Sequence, residues 1–194
     1  MKKIYVILSH TGTILSRIIR LNTGAEYTHA SIALDENLKK MYSFGRLHPY
    51  IAFFGGFVRE SKNFGTFKRF KNTQVSILEI EITENQFEKI KHQIAYMKKN
   101  KRKYSFNYLG LLLAAVNKRC YSRDHFYCSE FVKFILEQGD IDLSNLPEVT
   151  KPEDLKYIKN AKIIYKGYLS KYEVDELDLI KYLKIIAQSK TLPV

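Results

Sequence analysis

Two cysteines are the most reactive side chains in this 194-residue sequence, and one of them stands at the head of a predicted helix. Cys128 opens a run in which Phe131, Val132, Ile135 and Leu136 recur at helical spacing. Unpaired backbone N–H groups and the helix dipole concentrate positive potential at a helix start, which stabilises a thiolate. The same N–H groups can hold an oxyanion. The position therefore suits a nucleophile for acyl transfer.

The alternative for Cys128 is a small buried hydrophobe, the commonest role of a free cysteine. Cys120 lies in a polar loop without a helix start, and we assign it no chemical role. Seven residues separate the two thiols, which is not the Cys-x-x-Cys spacing of structural zinc, and no second close pair exists. Neither a metal nor another cofactor is predicted.

A nucleophilic thiol needs a base, and the sequence has five histidines. His29 is the best placed, because it opens the alternating segment "THASIALD", which is typical of a strand. Ser31 and Ala33 share its face and are small, which leaves room for another group to approach. A solvent-facing histidine at a strand end is the alternative. His125, three residues before the thiol, is kept as a second candidate.

The positioning elements indicate an α+β protein. Strands are predicted where β-branched and aromatic residues cluster or alternate, at 3–8, 28–35, 39–46, 74–82 and 161–169. Helices are predicted from apolar periodicity at 14–24, 106–116, 126–138 and 174–189. A capping box at Thr83 and Gln86 opens a further helix that runs through Met97. The 106–116 segment, "FNYLGLLLAAV", is apolar on every side and is therefore predicted to be buried.

The net charge of +12 favours anionic partners such as nucleic acid, acidic lipid surfaces or acidic substrates. The charges are spread along the chain, which favours ordinary solvated lysines, although the dense run at 98–103 could form a patch for a membrane surface or phosphate. No zinc finger, RNA-recognition aromatic pair or glycine-rich phosphate loop occurs, so no specific nucleic acid is expected.

A cytoplasmic protein is expected, because the apolar run near the start is too short for a signal peptide and two cysteines make no disulfide framework. The longest apolar stretch, 109–116, is far below the roughly 20 residues that a membrane-spanning helix needs. The length suits one domain over 1–194, with 150–194 as a C-terminal strand and helix extension.

The order of the motifs "THASIALD", "YSFNYLG" and "FYCSEFV" resembles the circularly permuted NlpC-type papain-like cysteine hydrolases. This group includes YiiX/YebB-like proteins and, more distantly, lecithin:retinol acyltransferase. Its histidine-bearing strand precedes its cysteine-bearing helix. The resemblance covers roughly residues 4–140 and implies a permuted papain-like fold with an antiparallel sheet packed on helices.

The resemblance implies that Cys128 is the nucleophile and His29 the base. Tyr104 matches a tyrosine that lies near the thiol and aids the oxyanion site; an ordinary core aromatic is the alternative. The family orients its histidine with a polar residue, often Glu, on the strand after it. The best-aligned residue on that strand is Ser43, and Glu60 in the next segment is a carboxylate that could take its place.

The implied activity is that of a cysteine peptidase, amidase or acyltransferase. It would cleave an amide or ester of a peptide, amide or lipid acyl substrate through a Cys-thioester intermediate. Two alternatives stay open. One is a non-catalytic binding module on the same fold, and the other is a basic protein that binds an anionic membrane or nucleic acid.

Overall fold

A computed structural model describes residues 1–11, 24–47, 55–120 and 122–174. The helices predicted at 14–24 and 174–189 lie outside these residues, apart from their end residues Gly24 and Val174. Gly24 has a φ of 65°, in the left-handed region that glycine adopts without strain.

The centre of the molecule is a six-stranded sheet in which every neighbouring pair is antiparallel. Its strands are β1 (Lys2–His10), β2 (His29–Ala33), β3 (Met41–Arg46), β4 (Gly55–Glu60), β5 (Gln74–Ile82) and β8 (Lys162–Tyr168). Their spatial order is β4-β3-β2-β1-β5-β8. Two short strands, β6 (Ser105–Phe106) and β7 (His125–Phe126), form a separate parallel pair. The sheet confirms the strands predicted around 3–8, 28–35, 39–46, 74–82 and 161–169.

Four α-helices accompany the sheet within the described residues: α1 (Gly65–Arg69), α2 (Glu84–Lys99), α3 (Tyr108–Ala115) and α4 (Cys128–Gln138). Short 3₁₀ helices occur at Lys101–Lys103, Pro152–Tyr157 and Leu169–Lys171. The predicted capping box is confirmed at the start of α2, where the Gln86 N–H donates to Thr83 Oγ1 at 3.2 Å and the Thr83 N–H donates to Gln86 Oε1 at 2.9 Å. The two bonds satisfy donors that a helix start otherwise leaves unpaired.

The alternation of β1 explains how the sheet acquires two apolar faces. Ile4, Val6 and Leu8 point to the face that α2 and α4 cover, where the inner stripe of α4 packs. Tyr5 and Ile7 point to the opposite face, which forms a second, smaller core. That core also contains side chains from α1 and from the chain after β8: Phe67, Leu169 and Tyr172.

The prediction that the 106–116 helix is buried is wrong. Leu109, Leu112 and Val116 are 60%, 70% and 63% exposed, and the buried residues of α3 are Gly110 and Ala114. A helix that is apolar all round carries no pattern to say which side meets the core. Here two small residues are buried, and Leu109, Leu112 and Val116 face outward.

The segment after residue 150 is joined to the sheet and to the start of β2. Strand β8 pairs with β5, and Glu153 accepts a hydrogen bond from the Tyr27 N–H at 3.0 Å. The observed architecture is thus mixed α+β, with an antiparallel sheet packed against helices. No helix within the described ranges is both long enough and apolar enough to cross a bilayer.

Candidate active site

Cys128 is the first residue of α4 and is 4% exposed. The helix start is fixed by Glu130, which accepts a hydrogen bond from the Tyr127 N–H at 3.3 Å. Ser129 donates to the Thr150 carbonyl at 2.9 Å, which ties the first turn to the following chain. The buried stripe below it holds the helix against the sheet. The structure therefore places the thiol at a rigid helix start, as the periodicity predicts.

His29 is the first residue of β2, and its side chain is 18% exposed. Its Nε2 lies 2.9 Å from Glu60 Oε1. The Cys128 thiol is also close enough to interact with the ring, and this interaction raises the pKa of His29. Because Nε2 is engaged by the carboxylate, Nδ1 is the nitrogen left to face the thiol. Side chains from α4, β2 and β4 thus meet at one imidazole.

The protonation of His29 is set by its two partners. Burial of the ring lowers its pKa, but the charge of Glu60 and the hydrogen bonds to Cys128 and Glu60 outweigh burial and raise the pKa to about 10. An imidazolium can donate one N–H to the carboxylate and the other to a thiolate. The geometry therefore favours a charged histidine beside the carboxylate of Glu60.

Glu60 on β4 reaches His29 on β2 across β3, because β3 has a glycine, Gly45, at that point. A Cβ added at Gly45 would lie 3.4 Å from Glu60 Oε1 and 3.5 Å from His29 Cε1. A side chain larger than a methyl group would fill the space in which the two residues meet.

Ser31 lies two residues after His29 on the same face of β2, and its hydroxyl donates to Glu60 Oε2. Both oxygens of the Glu60 carboxylate are therefore hydrogen-bonded, Oε1 to His29 and Oε2 to Ser31. Sequence analysis noted Ser31 only as a small neighbour of His29. The signal that could identify its role is the His-x-Ser spacing, because it puts the hydroxyl on the histidine's face.

Ser43 does not hold the imidazole, contrary to the expectation for the strand after the histidine. Its Oγ donates to the Ala30 carbonyl at 2.6 Å, within the sheet, and the residue is fully buried. Its hydroxyl proton is committed to the backbone, and the polar partner of His29 comes from one strand further on. The carboxylate that occupies this place is Glu60, the second of the two residues suggested for the role.

The contacts of Tyr104 and His125 are with residues other than Cys128, His29 and Glu60. The ring of Tyr104 packs on Phe44 and Phe126 at centroid distances of 6.5 and 6.3 Å, and burial raises its pKa. These contacts match the alternative of a core aromatic. His125 is exposed, and its Nδ1 lies 2.7 Å from Ser122 Oγ.

A cavity of about 130 Å³ opens on the carboxylate side of the cluster. Glu60, Arg46 and Phe67 are among its lining residues, and the Phe67 ring lies 6.5 Å from the His29 ring. Pockets that enclose a whole small-molecule ligand usually measure about 300–1,000 Å³. This cavity is therefore sized for a substituent of a substrate rather than for a complete cofactor.

The three clustered side chains interact with one another through His29. Its Nε2 bonds to the Glu60 carboxylate, and the Cys128 thiol raises the pKa of the same ring. Over the described ranges, no group of three or more His, Cys, Asp or Glu side chains is placed to hold a metal ion.

The architecture defines the class of protein: an α+β fold whose antiparallel sheet carries a histidine facing a thiol at a helix start. No protein-family model matches the sequence, and no curated protein matches it. Among solved structures, the crystal structure of the metalloprotein YiiX from Escherichia coli O157:H7 matches with a TM-score of 0.55 and 14% identity, over 86% of this chain and 98% of YiiX. The chain therefore has a YiiX-like fold. The metal is that of YiiX, and this chain is similar to YiiX in fold alone.

Proposed function

We propose that the protein is a thiol hydrolase or acyltransferase that cleaves an amide or ester bond through a thioester on Cys128. The observation that carries this proposal is a single imidazole, His29, whose Nε2 lies 2.9 Å from the Glu60 carboxylate and whose pKa is raised by both Glu60 and the Cys128 thiol. Nucleophile, base and orienting group are the three parts that nucleophilic catalysis by a cysteine uses. The order of the histidine strand before the cysteine helix also agrees with the permuted papain-like interpretation.

In the first half of the reaction, the Cys128 thiolate attacks the substrate carbonyl carbon, and the carbonyl electron pair moves onto oxygen. The backbone N–H of Cys128, at the helix start, stabilises that oxyanion. The intermediate collapses when the C–N or C–O bond breaks, and the leaving amine or alcohol takes a proton from His29. The acyl group is then held as a thioester.

In the second half, neutral His29 takes a proton from water or another acceptor, which attacks the thioester carbonyl. Collapse releases the acid or the transferred acyl product and restores the thiolate beside a charged imidazole. Glu60 stabilises the charged form of His29 and fixes which ring nitrogen faces the sulfur. Peptides, amides and lipid acyl groups all supply the carbonyl that this cycle requires.

The alternative of a non-catalytic binding module loses its main support. That alternative drew on the lack of a carboxylate on the strand after the histidine. Glu60 supplies the carboxylate from β4 instead. A module that only binds has no need of a histidine held between a thiol and a carboxylate.

The proposal is tested with a p-nitrophenyl ester, which acylates a reactive thiol whatever the natural substrate. We expect release of p-nitrophenol and an acyl adduct that mass spectrometry locates on Cys128. Cys120→Ser is the matched control, because it removes the other thiol and should leave both signals intact. His29→Ala should slow turnover about 10²–10⁴-fold, the usual contribution of a positioned acid–base group. An adduct on Cys120 alone, or turnover indifferent to His29→Ala, would contradict the proposal.

A further inference from the structure

Among the described residues, helix α3 presents an exposed apolar face. Leu109, Leu112 and Val116 lie at spacings of three and four residues, so they form one stripe along the helix. All three are at least 60% exposed. Scattered exposed apolar residues are normal at a protein surface, but a contiguous stripe marks an interaction site.

Basic residues precede and follow this stripe along the chain. The run before it contains five exposed basic residues: Lys98, Lys99, Lys101, Arg102 and Lys103. Exposed Lys118 follows it, and its N–H donates to the Leu113 carbonyl at 2.9 Å, which holds it at the end of α3. Within the described part of the chain, no ion pair neutralises any of these six side chains.

We propose that α3 and its flanking cations form a docking surface for an anionic lipid membrane, in which the Leu109, Leu112 and Val116 stripe inserts between lipid headgroups. Apolar residues with basic neighbours are the pattern of helices that lie in the membrane interface. At eight residues, α3 is too short to span a bilayer and suited to lie along its surface.

Charge selects this occupant over the others. A second copy of the chain would bring two clusters of like charge together across the stripe. A single-stranded nucleic acid would be expected to stack on exposed aromatic side chains, whereas the three exposed residues of the stripe are aliphatic. Anionic lipid suits both the cations and the apolar stripe, because its headgroups attract the cations and its acyl region accepts the leucine side chains.

The surface is joined closely to the candidate active site. The N–H of Asn107, the residue that caps α3, donates to the Phe126 carbonyl at 3.0 Å, and β6 pairs with β7 beside it. Phe126 is two residues before Cys128. A membrane bound at α3 would therefore lie next to the strand that leads into the thiol, and membrane lipid would be a natural source of an acyl substrate.

The test is sedimentation with sucrose-loaded vesicles of phosphatidylcholine, with and without phosphatidylserine. The full chain with Cys128→Ala is used, so that the result reports binding alone and stands apart from the proposed chemistry. We expect binding to the phosphatidylserine vesicles that weakens with salt. Leu109→Ser/Leu112→Ser should lower the partition coefficient about tenfold or more through lost apolar contact. Lys101→Glu/Lys103→Glu should lower it at least about fivefold for each cation removed.

Two matched controls locate the effect. Ile163→Ser removes an exposed apolar residue from β8, and Lys39→Glu/Lys40→Glu reverses two exposed cations in the turn before β3. In each control, the partition coefficient should fall by less than half as much as in the α3 variant that it matches. The proposal is overturned if phosphatidylserine vesicles do not bind, or if the controls lose as much as the α3 variants. It is equally overturned if the charge reversals abolish binding while the leucine variant has no effect, since that result describes a general polyanion site. Dimerisation through α3 in place of vesicle binding would also overturn it.

Discussion

Helices α3 and α4 precede and follow β7 along the chain and are both rich in apolar residues, yet they face opposite environments. In α4, apolar residues alternate with charged ones at helical spacing, and the apolar stripe is buried against the sheet. In α3, nearly every residue is apolar, and Leu109 and Leu112 face outward. The apolar periodicity of a helix therefore identifies the face that meets the core. A high apolar content alone identifies only a surface that some partner must cover.

Substitutions in the two helices should affect different properties of the protein. Helix α4 holds the thiol in a fixed relation to His29, so its packing serves both stability and chemistry. Helix α3 contributes little to the core, so its leucines are free to serve binding.

The same substitution on each helix gives the sharpest contrast. Leu136→Ala in α4 removes a fully buried side chain and should lower the free energy of unfolding by about 2–5 kcal/mol. Leu112→Ala in α3 should change it by less than about 0.5 kcal/mol, since the residue is 70% exposed. Urea denaturation followed by circular dichroism measures both. Equal losses of unfolding free energy in the two variants would contradict the conclusion that only α4 packs into the core.

A substitution at Gly45 tests whether the chemistry needs the meeting of His29 and Glu60. Gly45→Leu should displace one of the two side chains and lower turnover of the p-nitrophenyl ester about a hundredfold. Gly45→Ala is the matched control, because its methyl group would make ordinary contacts at 3.4 and 3.5 Å. It should retain most of the activity. Full activity in the leucine variant, with its fold intact, would show that the pair is dispensable.

The pH dependence of stability follows from the raised pKa of His29. The pKa rises from 6.5 to about 10 in the folded protein, so protonation of His29 favours folding. This contribution is fully present below about pH 6.5 and is lost as the pH rises through about 10. The unfolding free energy of the wild type should therefore exceed that of His29→Gln most at low pH. Urea titrations of both proteins across this window should show the difference narrowing; a constant or widening difference would count against the charged pair.

Ser31 should have the smallest effect, because it acts only through Glu60. Ser31→Ala removes the hydrogen bond to Glu60 Oε2 and should slow ester turnover about three- to tenfold. The same substitution should also lower the pKa that limits activity at high pH, and Ser31→Thr, which keeps the hydroxyl, should restore it. If Ser31→Ala changes stability but leaves the pH profile unmoved, the residue has no positioning role.

The sequence predicted the elements that depend on local pattern. The capping box at Thr83, the 74–82 strand and the α4 stripe all follow from residues that are close in sequence. Cys128 and His29 were also predicted as a pair, from the resemblance and from the chemistry of a helix-start thiol. In the structure, the Cys128 thiol is one of the groups that raise the pKa of His29.

The remaining parts of the site depend on how strands lie beside one another, which local pattern does not encode. Glu60 reaches His29 only because β4 follows β3 across the sheet and Gly45 leaves the space open. Ser43 was the better-aligned candidate, but its hydroxyl is used by the neighbouring strand. The outward face of α3 was missed for a related reason, since a uniformly apolar helix has no periodicity to orient it.

The most direct test of the account compares the two thiols of one chain by iodoacetamide labelling at about pH 6, where an ordinary thiol is less than about 1% ionised. Cys128 is buried and Cys120 is partly exposed, so accessibility alone would make Cys120 the faster. A thiolate held by His29 should instead make Cys128 react faster than Cys120, and His29→Ala should slow Cys128 about a hundredfold while leaving Cys120 unchanged. If Cys128 labels more slowly than Cys120 and His29→Ala has no effect on it, the thiol is a core residue and the enzyme proposal fails.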